Sequence, residues 1–91
     1  MCLRIEGRVQ GVGFRDFVMH EAGARKLPGW VRNRSDDSVE VLVSGAKAEV
    51  EALIAACLRG PAAAQVNHCD LSPTEPPDTV GIIRQIGRAH V

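Results

Sequence analysis

The chain has 91 residues, 45% of them hydrophobic, and its eleven basic and eleven acidic side chains cancel. That length suits one domain with one core, and a neutral balance offers no basic field for nucleic acid or an anionic membrane. No apolar run nears the ~20 residues of a membrane span, no signal-peptide core opens the chain, and three scattered cysteines suit a reducing compartment, the cytoplasm, rather than a disulfide framework.

Leu3, Ile5 and Gly7 alternate with Arg4 and Glu6, the period of a strand over about 2–8. Phe14, Phe17, Val18 and Ala22 then recur at helical spacing, so a helix is expected from about Gly13 to Lys26, stopped by Pro28 and Gly29. Between them lies Gly7-Arg8-Val9-Gln10-Gly11-Val12-Gly13-Phe14-Arg15. Glycine leaves room beside its peptide N–H and reaches positive φ. Successive N–H groups backed by a helix N-terminus make an anion pocket. A cation at that terminus opposes the helix dipole, so Arg15 makes better sense with an anion between the two; its planar fork suits phosphate. The third glycine of the dinucleotide fingerprint is missing, and no Gly-Lys-Ser/Thr follows as in a Walker loop. The loop is a small-anion cradle, or else only a connection.

Two strands are expected next, Gly29 to Arg34 and Ser38 to Ser44. Val39, Val41 and Val43 alternate on the second, and Ser35-Asp36-Asp37 supplies turn chemistry for a hairpin. Asn33 before this turn reads on its own as a turn initiator that bonds its own backbone. A second helix spans about Ala46 to Arg59, with Val50, Leu53, Ile54, Cys57 and Leu58 as its buried stripe, and ends at Gly60-Pro61. A weaker strand follows at about 64–71, with Val66, Cys69 and Leu71 as core contributors. Residues 72–78 carry three prolines and read as loop, and Thr79 to Ile83 closes the sheet. The order β-α-β-β-α-β plus a short final strand predicts an α+β, ferredoxin-like split βαβ fold: an antiparallel sheet with two helices on one face.

His68 and Cys69 are neighbours on a strand and point to opposite faces, a poor metal pair. No zinc spacing, magnesium carboxylate cluster or Ser-His-Asp set emerges, so neither metal nor cofactor is expected. An RNA-binding reading would want exposed aromatics on the sheet and basic charge; of the three aromatics Phe14 and Phe17 are helical, only Trp30 falls on a strand, and the charge is balanced.

The run from Gly7 to Arg15, followed by Gly29-Trp30-Val31-Arg32-Asn33, resembles the paired signature of the acylphosphatase family, and the resemblance extends from about Leu3 to about Arg84. It implies hydrolysis of small acyl phosphates without a metal. Val9, Gln10, Gly11, Val12, Gly13, Phe14 and Arg15 would hold the phosphoryl group, with Arg15 neutralising it and Asn33 orienting the attacking water. It also implies a monomer binding neither nucleic acid nor membrane. The alternatives are a non-catalytic anion-binding module, or such a domain within a carbamoyl-phosphate-handling maturation enzyme. Arg25-Lys26 stand where relatives carry leucine and glycine, and Asp37 where they commonly carry glycine. The single domain is expected over residues 1–85. Ile86-Gly-Arg-Ala-His-Val91 reads like a translated sequencing adapter, so 86–91 is expected to be a non-native or disordered tail.

Overall fold

A computed structural model describes residues 1–73 and, as backbone, 82–84; the expected tail at 86–91, residues 79–81 of the expected last strand and most of the proline loop lie outside the described residues. The elements are β1 (Cys2–Arg8), α1 (Phe14–Ala24), β2 (Gly29–Asn33), β3 (Val39–Val43), α2 (Lys47–Arg59), β4 (Gln65–Ser72) and β5 (Ile82–Arg84). They form a five-stranded sheet in the order β4-β1-β3-β2-β5. β1, β2, β3 and β4 pair antiparallel as expected. β5 instead runs parallel to β2. The reason is topological: β4 ends beside Cys2, at the end of the sheet where β2 begins, so the strand that follows runs in the direction of β2.

Period-two patterning decides which sheet face is covered. Leu3 and Ile5 of β1, Val31 of β2 and Val39, Val41 and Val43 of β3 are fully buried, and they join Phe14, Val18 and Ala22 of α1 and Val50, Leu53 and Cys57 of α2 in one cluster. Both helices therefore cover one face, at ~1.5–3 kcal/mol for each large apolar side chain taken out of water. Cys57, sealed in this layer, has its thiol pushed up to about 12 by burial.

Two expected core positions face solvent instead. Leu58 is 53% exposed, because it stands about 100° around the helix from Cys57, beyond the stripe's edge; Ala56 on the opposite flank is buried in its place. Leu71 is 48% exposed. It lies near the end of β4, an edge strand among the described residues, of which Val66 and Cys69 pack against the core. The other sheet face carries charge. Arg32 and Arg34 both pair with Glu40 (2.8 and 3.2 Å), Arg4 with Asp70 (2.9 Å), and the Arg32 guanidinium stacks 4.2 Å from the centre of the Trp30 ring.

Candidate active site

The site forms where β1 passes into α1. The pairing of β1 with β4 shifts register between Glu6 and Gly7 and ends at Arg8↔Gln65, where the loop begins. Gly11 and Gly13 take φ of 74° and 78°, the left-handed region that glycine enters without strain. A Cβ built at either would meet no protein atom within 4 Å, so the space above the loop belongs to whatever binds there. Gly13 is also the N-cap of α1 and brings no capping side chain. A helix leaves its first N–H groups without intrahelical acceptors, and here that end faces a pocket.

The pocket has a volume of about 210 Å³ and is lined by Val9, Gly11, Gly13, Phe14, Arg15, Asp16 and Asn33. Arg15 and Asn33, eighteen positions apart, thus share one small polar cavity over the glycine loop. Asn33 is the last residue of β2 and faces Val39 across the ladder, so it is a strand terminus whose side chain reaches the pocket rather than a turn residue. Phe14 is buried and anchors the loop to the core, tilted against Phe17 at 5.9 Å between ring centres.

Two loop residues from the sequence reading do not line the cavity. Val12 is half-buried and packs against the core cluster. Gln10 turns its side chain to the β2–β3 hairpin, where Nε2 donates to the carbonyls of Arg34 and Ser38, both at 2.9 Å. Asp16 is a wall residue that sequence reasoning did not place in the site; its position beside Arg15 in the first turn of α1 is the signal that could have found it. A larger, apolar depression of about 550 Å³, lined by Met1, Val43, Ser44, Gly45, Lys47, Val50, Glu51, Ile54 and Leu71, lies at the opposite end of the sheet. Among the described residues no three His, Cys, Asp or Glu side chains gather to hold a metal, and no described helix is long and apolar enough to cross a membrane.

A split βαβ sheet thus carries, at the start of its first helix, a small polar pocket lined by two glycines, one arginine, one aspartate and one asparagine. The family model for acylphosphatase matches residues 1–81. The chain is 46% identical over 83 residues to an acylphosphatase of Acidiphilium cryptum, covering 91% of each, and 43% identical over 81 residues to one of Rhodospirillum rubrum, covering 89% of each. Its fold is similar to the crystal structure of acylphosphatase from Bacillus subtilis, with a TM-score of 0.88 at 34% identity over 93% of this chain and 96% of that one. It is also similar to part of full-length HypF in the phosphate- and nucleotide-bound form, with a TM-score of 0.85 at 28% identity over 96% of this chain and 11% of that one. The chain belongs to the acylphosphatase family. The fold and enzyme class expected from the two signature runs are both met.

Proposed function

We propose that the chain hydrolyses the carboxyl–phosphate bond of small acyl phosphates by in-line attack of a water held by Asn33. The phosphoryl group rests on backbone amides of the loop from Val9 to Arg15, and Arg15 neutralises its charge. The new bond joins the water oxygen to phosphorus as the phosphorus–acyl oxygen bond breaks, and the electron pair leaves on the carboxylate. The proton of the water passes to a phosphate oxygen. A carboxylate leaves without being protonated first, so positioning and electrostatic stabilisation supply most of the acceleration. The observation that carries this reading is the shared pocket: Arg15 and Asn33 meet over the glycine loop.

The pocket's small volume supports a small-molecule substrate. Three free cysteines support a reducing compartment, the cytoplasm. The test is hydrolysis of benzoyl phosphate, with chelator present, by wild type, Arg15→Ala and Asn33→Ala. Arg15→Ala loses a charged hydrogen bond of ~1.5–3 kcal/mol, so inhibition by inorganic phosphate weakens about tenfold or more. Asn33→Ala keeps phosphate inhibition and loses turnover. Full turnover in that variant removes Asn33 from the mechanism, and a folded wild type that binds phosphate without turnover makes the loop an anion receptor.

A further inference from the structure

The two halves of the pocket stand on strands that are not neighbours. The loop leaves the end of β1 and Asn33 ends β2, and β3 lies between them in the sheet. Two strand spacings make about 10 Å. The ladder between β1 and β3 stops at the pair Ile5↔Val39. Beyond it Glu6, Gly7 and Arg8 pair only with β4, across the register shift. Backbone pairing of β1 with the hairpin therefore stops before the loop begins.

Gln10 crosses that gap. It sits within the loop, yet its amide points out of the pocket and gives both of its N–H bonds to the hairpin, one to the Arg34 carbonyl and one to the Ser38 carbonyl. These two residues close the turn: the Arg34 N–H donates to Ser38 at 2.8 Å, and the Asp37 N–H donates to Arg34 at 3.2 Å. Each carbonyl thus accepts twice, once from the turn and once from Gln10, which uses both lone pairs of each oxygen. Arg34 is bonded directly to Asn33. One side chain so ties the anion cradle to the residue next to the water-holding amide.

We propose that Gln10 is a positioning residue, which sets the separation between the phosphate loop and Asn33 and hence the line of attack on phosphorus. This rests on the reading of Asn33 as the holder of the water. Displacement of a reacting group by about 1 Å can cost on the order of a hundredfold in rate. The substrate's affinity, in contrast, depends on Arg15 and on the loop's backbone amides, Gln10's own among them, which a change of the Gln10 side chain leaves in place.

The experiment is a double-mutant cycle with Gln10→Met, which keeps the length and removes both donors, and Asn33→Ala, followed by kcat, KM and inhibition by inorganic phosphate. Gln10→Met is expected to lower kcat by roughly ten- to a hundredfold while phosphate inhibition moves less than about twofold. With Asn33 already removed, Gln10→Met then costs almost nothing more, because the geometry it maintained no longer has a user. Equal losses in both backgrounds, or a loss matched in phosphate inhibition, would make Gln10 a support of the loop alone and overturn the proposal. Unchanged kcat in Gln10→Met beside an inactive Asn33→Ala overturns it too, and leaves the hydrolytic reading standing. An active Asn33→Ala overturns the hydrolytic reading itself and this inference with it. Should Gln10→Met not fold, Gln10→Glu makes the same comparison, since its carboxylate accepts but does not donate.

Discussion

A carboxylate that accepts hydrogen bonds from two guanidinium groups stays ionised well into acid, and Glu40 is such a group. Burial works against its charge, but the hydrogen bond and charge of Arg32, the Cys2 thiol and Arg34 outweigh it and hold the carboxyl below its ordinary 4.5. Its oxygen Oε1 receives Arg32 Nε at 2.9 Å and Arg34 Nη1 at 3.2 Å, and those arginines flank Asn33 in sequence. A carboxyl whose folded value is depressed stabilises the fold fully above the unfolded value, and that stabilisation is lost as pH falls through the folded value. Glu40→Gln should therefore lower the urea midpoint at neutral pH, and the gap from wild type should narrow as pH drops below about 4.5. Asp36, held low by hydrogen bonds from the Ser38 hydroxyl and N–H, and Asp70, held low by His68 and Arg4, remain in both proteins. Their shared acid limb drops out of the comparison. A gap that stays constant down to pH 3 would remove the ionic origin of the effect. None of this wiring was legible in the sequence, which marks Arg32, Arg34 and Glu40 as outward-facing but says nothing of two arginines meeting on one oxygen across a strand pair.

Helix α1 shows at its two ends what the sequence reveals and what it withholds. Its start was readable, because three closely spaced glycines and a periodic apolar run leave few other arrangements. Its end was expected at about Lys26, ahead of Pro28 and Gly29, and falls at Ala24; what the sequence left unexplained there was Arg25-Lys26. The structure resolves it as a Schellman motif: the Leu27 N–H reaches the Ala22 carbonyl at 2.9 Å and the Lys26 N–H reaches Gly23 at 3.0 Å. Arg25 folds back along the helix, with Nη1 on the Glu21 carbonyl and carboxylate, so it covers rather than disrupts the apolar stripe. Lys26 pays for the motif with φ of 56°. A left-handed conformation costs an L-residue ~1–2 kcal/mol, while glycine loses ~0.5–1 kcal/mol through the entropy of its unfolded state. The exposed Lys26 side chain has little packing to give up. Lys26→Gly should thus stabilise by about 0.5–1 kcal/mol, raising the urea midpoint without changing turnover. A lowered midpoint would show that the lysine contributes something at the helix C-terminus that outweighs the strain. The β2–β3 turn follows the same logic at Asp37, whose φ of 72° is the conformation expected where relatives place glycine.

At the scale of the whole molecule, alternation and helical spacing carried the architecture, because each strand and helix has one covered face and the residues on it had to be apolar. The errors fell where that constraint relaxes: Leu58 at the rim of a helix and Leu71 on an edge strand. The direction of the Gln10 side chain was not legible for a different reason, since a polar side chain in a polar loop gives no sign of which way it turns. What the whole molecule adds is that the pocket exists only in the folded state, where β1, α1 and the end of β2 are brought together. An anion that binds only there must stabilise the entire fold by RT ln(1 + [L]/Kd). At ten times its dissociation constant, inorganic phosphate should contribute about 1.4 kcal/mol, which for a domain of this size raises the melting temperature by ~6–11 °C. Chloride at matched ionic strength separates this from general screening. On the proposed mechanism Asn33→Ala should keep the shift, since the role given to its amide is to hold water rather than phosphate, whereas Arg15→Ala should lose most of it. A shift of equal size in Arg15→Ala would mean that phosphate binds elsewhere on the surface, and the loop at the start of α1 would no longer be the seat of recognition.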